Sequence, residues 1–502
     1  MVLRVAVIGA GPAGLCAARF LSAEPDCYLP TVYEQTAAVG GTWVYTDRTG
    51  TDHCGIPVHS SMYKNLRDPT TASLVCEKHG LPFRTSQASS EHLTGTCRRP
   101  LSNGTDSPLE HPGTPAGQTN LPKEAMVFPD FPYDSSLPSY LPHKEVLRYL
   151  ESYAEHFGLH KYIQFLTRVD TVKHVHVHGA VKWQVTSFKV TAPDSPSTEQ
   201  FDAVMVCNGG YVVGHTCADA RTTPDFMRYS VPYTPDIPGT DQFQGRTLHS
   251  HDYRVPEPFS GRRVLIIGAL GSGIDICVEI AWVADRVVIS HSNPPMMKIL
   301  KLPPNVTQAS RVESIVSPNT VRFQDGQEFH ADDIVYCTGY RLSLPFLTPE
   351  CGITLHQGRA YPLYKHVLNT NYPTMSFVGL PRNVTTFSLF QLQVKLALGV
   401  LDGSISLPSK AAMDQEIDKD FKTRLEKGLA PRRAHDIFPL YLSYITELAM
   451  VTCQPDPQGQ TSMATDSVLH LFSDPQHFRN AEYKITGPGT WERIPHESEN
   501  QQ

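Results

Sequence analysis

Two stretches of the chain share one pattern of apolar and polar positions. In the first, the apolar run Val5-Ala6-Val7-Ile8 predicts a strand over Leu3 to Ile8. It stops at a glycine-rich turn, Gly9-Ala10-Gly11-Pro12-Ala13-Gly14, after which Ala13, Ala17 and Ala18 give a helix small enough to pack closely on a sheet. A second strand around Thr31 to Tyr33 ends in Glu34. The pattern returns at Arg262 to Ile267, followed by Gly268-Ala269-Leu270-Gly271-Ser272-Gly273, a helix over Ile274 to Val283 and a strand over Arg286 to Ile289. Elsewhere Val146, Leu147, Tyr149 and Leu150 form a helical stripe, and Phe390 to Leu401 reads as a further helix. Strand, glycine turn, helix and strand make a dinucleotide-binding unit, so the pattern predicts an α/β fold with two Rossmann-like units.

In the first turn Gly9 permits the tight bend, Gly11 lets backbone approach a pyrophosphate, and Gly14 lets helix meet strand. Pro12 and Ala13 open the helix, whose N-terminus faces the phosphates, and Glu34 is placed to hold ribose hydroxyls. In the second turn Gly268, Gly271, Ser272 and Gly273 are the candidates, with Leu270 where the middle glycine belongs. Its side chain is expected to crowd the pyrophosphate unless Gly271 lets the loop shift register. After the next strand comes Ser290-His291-Ser292-Asn293, with no carboxylate to oppose a 2′-phosphate. Ser290 is therefore a cofactor candidate, and NADPH is expected at this unit.

Composition narrows the partners. With 43 basic and 50 acidic residues among 502, and a net charge of −7, the chain shows no basic face for nucleic acid, which leaves small molecules. None of the 11 cysteines stands at CxxC spacing, which argues against a zinc ribbon or a redox disulfide, and no metal site is expected. The apolar window Val264 to Val283 is broken by Asp275 and Glu279, so no transmembrane span is expected. A strand at Leu3 leaves no room for a secretory signal, and a cytoplasmic protein follows.

Between the two units, Phe243-Gln244-Gly245-Arg246-Thr247-Leu248-His249-Ser250-His251-Asp252-Tyr253 resembles the FxGxxxHxxxY/F fingerprint of flavin-containing monooxygenases. Other segments resemble the same family. Gly40-Gly41-Thr42-Trp43 is similar to its second flavin-contacting turn, which makes Gly41, Thr42 and Trp43 FAD candidates. Tyr336-Cys337-Thr338-Gly339-Tyr340 is similar to its strand-end motif, which adds Thr338 and Gly339. Thr119-Asn120-Leu121-Pro122-Lys123-Glu124 resembles its TNxPKE segment, which makes Asn120 the catalytic candidate. A neutral carboxamide suits that role because it can donate a hydrogen bond to a peroxide without protonating it.

The resemblance implies FAD in the first unit and NADPH in the second. Oxygen would pass through a C4a-hydroperoxyflavin to soft sulfur or nitrogen nucleophiles, including N,N-dimethylaniline-type xenobiotics. In the family the fingerprint links the two units, so His249 and His251 are expected to be structural. Two other readings compete. One is a catalytically impaired FAD-binding protein, disabled by Leu270 and by the sequence before Asn120. The other is a Baeyer–Villiger-type monooxygenase, although Tyr253 stands where those enzymes carry tryptophan.

The resemblance also implies the domain layout: a first FAD part over 1–228, the NADPH domain over 229–331, a second FAD part over 332–452, and a polar tail over 453–502. Two breaks interrupt the family pattern, at Asp68 to Gln118 and near 210–228. In the first, 24 residues are Pro, Gly, Ser or Thr and 12 are hydrophobic, too few to fold alone, so a disordered loop is expected. Both breaks fall in segments that read continuously without them, so the second is also expected to be a disordered insertion, and both read as retained intronic sequence or, in competition, as genuine lineage-specific loops.

Overall fold

The structure is a computed structural model that describes residues 2–49, 118–209, 230–292, 298–356, 358–381, 387–437 and 440–494. The two breaks at 68–118 and about 210–228 lie outside these residues, except for Gln118, which bridges to Pro142.

Each predicted unit is the centre of its own sheet. Strand β1 (Leu3–Ile8) runs through the glycine turn into helix α1 (Pro12–Ser22) and strand β2 (Tyr28–Tyr33). β1 pairs in parallel with β2 on one side and with Ala203–Val206 on the other, inside a seven-stranded sheet. The remaining strands of that sheet come from Ile163–Gln164 and from Leu363–Phe377, far along the chain. A continuous apolar run fits this place because both faces of β1 are covered. Val5 and Val7 point into the core shared with α1, while Ala6 and Ile8 point into the opposite core with Val204 and Val206.

The second unit repeats the arrangement. β3 (Arg263–Ile267), α2 (Gly271–Ala281) and β4 (Arg286–Ser290) follow one another, and β3 lies between β4 and Asp333–Tyr336 in a five-stranded parallel sheet. Val264 and Ile266 face one core, Leu265 and Ile267 the other. Strand Asp333–Tyr336 lies beyond the boundary expected at 331, so this sheet takes in residues that the resemblance gave to the second FAD part. In both sheets the chain leaves the central strand toward one neighbour while the strand on the other side arrives from elsewhere. The crevice at such a switch point is where open α/β sheets take ligands.

The expected polar tail is the largest departure. Residues 453–494 contain helix α3 (Gln458–Ser473) and a hairpin of Glu482–Gly487 with Thr490–Ile494. Met463, Ala464, Leu471, Phe472, Phe478 and Tyr483 are buried in the same core as Val264, Ile274 and Ile280. This segment therefore closes the second unit. Its apolar stripe is diluted by Thr461, Ser467 and His470, which are also buried on α3, so hydrophobic periodicity understates it.

Among the described residues no helix is long and apolar enough to cross a membrane, and no group of three or more His, Cys, Asp or Glu could hold a metal ion.

Candidate functional site

The two glycine turns are built alike. Gly9 donates its N–H to the Tyr33 carbonyl at 2.8 Å, and Gly268 donates to the Ser290 carbonyl at 2.9 Å. Both have left-handed backbones, with φ of 104° and 109°. A Cβ on Gly14 would lie 1.8 Å from the Gly9 carbonyl oxygen, and one on Gly273 would lie 2.0 Å from that of Gly268. Only hydrogen fits at either position. Each turn leaves the N–H groups of a helix N-terminus open, with no acidic residue in the first turn of α1 or α2 to compete for them. That cradle fits the pyrophosphate of a dinucleotide.

In the first turn Pro12 opens α1 and Ala13 is buried beneath it. The second flavin-type turn closes on the same place. Gly40 donates to the Ala10 carbonyl at 3.0 Å, and a Cβ on Gly41, where φ is 57°, would come within 3.1 Å of the Gly11 Cα. Gly41, Thr42 and Trp43 form a short 3-10 turn whose tryptophan packs on the first core. Glu34 is buried and already engaged: Oε2 accepts from the Ala10 N–H at 2.9 Å, and Oε1 accepts from the N–H and hydroxyl of Thr36, both at 2.8 Å. A carboxylate has about four acceptor positions, so Glu34 has room for roughly one further donor rather than several hydroxyls.

Leu270 does not shift the second loop. It caps α2 with φ −101° and ψ −172°, while Gly11 caps α1 with φ −73° and ψ −174°. Both are extended backbones that any residue adopts. Gly11 is abutted by Gly41, whereas Leu270 is exposed, so the loop accepts the leucine with no register shift to carry its side chain away from a pyrophosphate. Ser272 is exposed in the first turn of α2.

Ser290 is less free than its sequence position implies. It is the last residue of β4, paired opposite Ile267, and its hydroxyl donates to the Ser310 carbonyl at 2.7 Å. In register with the first unit, Ser290 stands where Tyr33 does, and His291 stands where Glu34 does. His291, absent from the candidates read from sequence, takes that place, and its ring contacts Gln308 at 3.0 Å. The signal was available: counting one more residue of strand would have found it.

The fingerprint residues are structural ties. A Cβ on Gly245 would lie 2.5 Å from the Asp332 carbonyl oxygen, and the Tyr253 hydroxyl donates to Glu279 of α2 at 2.8 Å. His249 Nδ1 accepts from the His251 N–H at 3.1 Å, which leaves the ring proton on Nε2 to donate to the Gly339 carbonyl at 3.1 Å. Gly339 thus meets the fingerprint, while the Thr338 hydroxyl beside it donates to the Tyr233 carbonyl. None of these contacts reaches the first glycine turn.

Burial pushes the His249 imidazole down from 6.5 to about 4, so the folded chain binds its proton later than the unfolded chain. Its neutral form contributes fully above about pH 6.5, and that contribution is lost as pH falls toward 4. The loss is about 3 kcal/mol. His366, also pushed down to about 4, adds a separate share. Denaturant unfolding between pH 7 and 4 should therefore show a shallower pH slope in His249→Gln than in the unaltered chain. An identical slope would remove this role for His249.

Asn120 lies against the second unit. The Arg479 guanidinium donates to its Oδ1, and the amide nitrogen stands 3.4 Å from the position that a Cβ on Gly271 would take. The residue is exposed, while Thr119 before it is buried. Its backbone carbonyl accepts from the Ser467 hydroxyl at 3.2 Å, and Ser467 also meets the Tyr140 hydroxyl at 2.8 Å. Sequence reading found Asn120 only through resemblance and missed Arg479, Asp275 and Ser467 around it.

Comparison with known proteins agrees with this geometry. A flavin-binding monooxygenase-like family model matches residues 117–302 and 296–496, and an NAD(P)-binding Rossmann-like domain model matches 7–68. The chain is 33% identical over 493 residues to flavin-containing monooxygenase FMO GS-OX-like 4 of Arabidopsis thaliana, covering 95% of this chain and 93% of that protein. Among solved structures it is similar to S-allyl-L-cysteine S-oxygenase from Allium sativum, with a TM-score of 0.74, 29% identity and 96% of each chain covered. The fold also matches Tmm from Pelagibacter sp., with a TM-score of 0.72 at 24% identity, covering 98% of this chain and 96% of that one.

Proposed function

The chain belongs to the flavin-containing monooxygenase family, enzymes that use FAD and NADPH, and we propose that it transfers one oxygen atom of O2 to soft sulfur or nitrogen nucleophiles of small molecules. FAD would supply the oxygen-transferring chemistry, as a C4a-hydroperoxyflavin. Gly9, Gly11, Gly14 and Gly41 would hold its pyrophosphate, with Pro12 and Ala13 presenting the helix N-terminus and Glu34 taking one ribose hydroxyl. Gly268, Gly271, Ser272 and Gly273 would hold NADPH. We place this activity in the cytoplasm, in keeping with the free buried thiols of Cys16, Cys207, Cys277 and Cys351.

The observation that carries the reading is the placement of Asn120 beside Gly271, at the mouth of the second cradle, with its NH2 group directed to that side. A donor there can hold a peroxide oxygen without giving up a proton. Similarity to an S-allyl-L-cysteine S-oxygenase favours sulfur, so a small thioether is the first substrate to try. The impaired-protein reading keeps Leu270 as a ground, because the loop holds the extended backbone of Gly11 and the leucine side chain stays where the middle glycine belongs. Tyr253, buried and bonded to Glu279, keeps the Baeyer–Villiger reading second.

Anaerobic NADPH should bleach the flavin, and admitting oxygen with a thioether should yield the S-oxide. Asn120→Ala should retain FAD and still be reduced, but form about 100-fold less S-oxide per NADPH and release hydrogen peroxide instead. Unchanged coupling in that variant would refute the role of Asn120. A ketone oxygenated faster than the thioether would favour the Baeyer–Villiger reading.

A further inference from the structure

Arg479 lies in the C-terminal segment, 359 residues from Asn120, yet makes four kinds of contact around it. Its Nε donates to the Thr119 carbonyl at 3.0 Å. Its Nη2 donates to Asn120 Oδ1 and to both carboxylate oxygens of Asp275, each at 3.1 Å. Its guanidinium also lies over the Phe478 ring, 4.2 Å from the centroid. Asp275 belongs to α2, the helix that opens at Gly271, and is 3% exposed. One planar cation therefore joins the loop bearing Asn120, the second dinucleotide helix and the C-terminal segment.

The chemistry of the pair settles which way the carboxamide faces. A guanidinium has donors and no acceptor, so it can meet only the oxygen of Asn120. The NH2 group must then point away from Arg479, and it lies at ordinary contact distance from the place of a Gly271 Cβ. Without the guanidinium, a carboxamide on an exposed loop residue could turn over and present its oxygen, an acceptor, to the site. Asp275 fixes the guanidinium in turn, since a buried carboxylate holds a paired arginine strongly.

We infer that Arg479, anchored by Asp275, is a positioning residue that fixes the carboxamide of Asn120 with its NH2 group toward Gly271, at the mouth of the second cradle. This inference rests on the proposed role of Asn120 as the donor. The chemistry requires a planar cation able to serve Thr119, Asn120 and Asp275 together. Lysine, with a single nitrogen, cannot reproduce that fork.

The test compares Asn120→Ala, Asn120→Asp, Arg479→Lys and the double variant Asn120→Ala/Arg479→Lys, each as purified holoenzyme. Flavin content, anaerobic reduction by NADPH, peroxide released per NADPH with a thioether present, and hydrogen exchange over residues 118–126 are measured. Arg479→Lys should keep FAD and its reduction but release roughly ten-fold more peroxide, a share of the loss expected from removing the donor outright. The double variant should be no worse than Asn120→Ala, because a residue that acts only through Asn120 has nothing left to position. Asn120→Asp should keep slow exchange over 118–126, since its carboxylate still holds Arg479, while releasing as much peroxide as Asn120→Ala.

Normal coupling in Arg479→Lys, or additive losses in the double variant, would overturn the inference. So would fast exchange or normal coupling in Asn120→Asp, a result that stands even where Arg479→Lys does not fold. If Asn120→Ala itself stays coupled, the failure lies with the proposed role of Asn120 and not with Arg479 alone.

Discussion

Gly14→Ala should give a colourless protein, whereas Gly273→Ala should give a yellow one that NADPH does not bleach. The added Cβ would fall 1.8 Å from the Gly9 carbonyl oxygen in the first case and 2.0 Å from that of Gly268 in the second. Both obstacles are backbone atoms at the junction of strand and helix, so no side chain can turn aside to make room. Relief requires α1 or α2 to move off its sheet. Overpacking of this kind costs about 1–3 kcal/mol or more, and here the displaced part is the helix N-terminus that faces the phosphates.

The sequence assigns the two turns to different cofactors, so the two losses should separate. Visible spectra of the purified variants and anaerobic NADPH titration measure both. Full FAD occupancy in Gly14→Ala, or wild-type bleaching in Gly273→Ala, would sink the assignment. Because each variant serves as the folding control for the other, general instability cannot imitate the expected pair of results.

The glycines were legible because their requirement is local. A hydrogen is demanded by atoms five residues away, and that demand is written into spacing. At Leu270 the residue type raised the question of a register shift, and only the fold answers it: the backbone angles there are extended and suit leucine as well as glycine, so the loop does not shift. His291 was passed over because the strand end was placed one residue early, since pairing continues to Ile267 and Ser290. At the Asn120 loop, resemblance supplied the residue but nothing local could supply its partners. Arg479 and Ser467 lie 359 and 347 residues away, and only the closed fold brings them there. Residues 453–494 looked like a tail because Thr461 and Ser467 sit fully buried on the inner face of α3, where periodicity counts them as polar.

Ending the chain at Thr452 should abolish the second unit rather than trim an appendage. The removed segment carries Met463, Leu471, Phe472, Phe478 and Tyr483, each at most 4% exposed and packed with the core of β3 and α2. Burial of a large apolar side chain is worth about 1.5–3 kcal/mol, so five of them together rival the roughly 5–15 kcal/mol that stabilises an ordinary domain. Truncation also removes the Arg479 partner of Asp275 on α2. The truncated chain should therefore be insoluble or lose NADPH-dependent flavin reduction. A soluble product with unchanged thermal stability and reduction rate would show that the segment is dispensable. Phe478→Ala probes the same contact gently: it should cost about 3–5 kcal/mol in denaturant unfolding. Because the Arg479 guanidinium rests on that ring, the same substitution should also loosen the hold on Asn120.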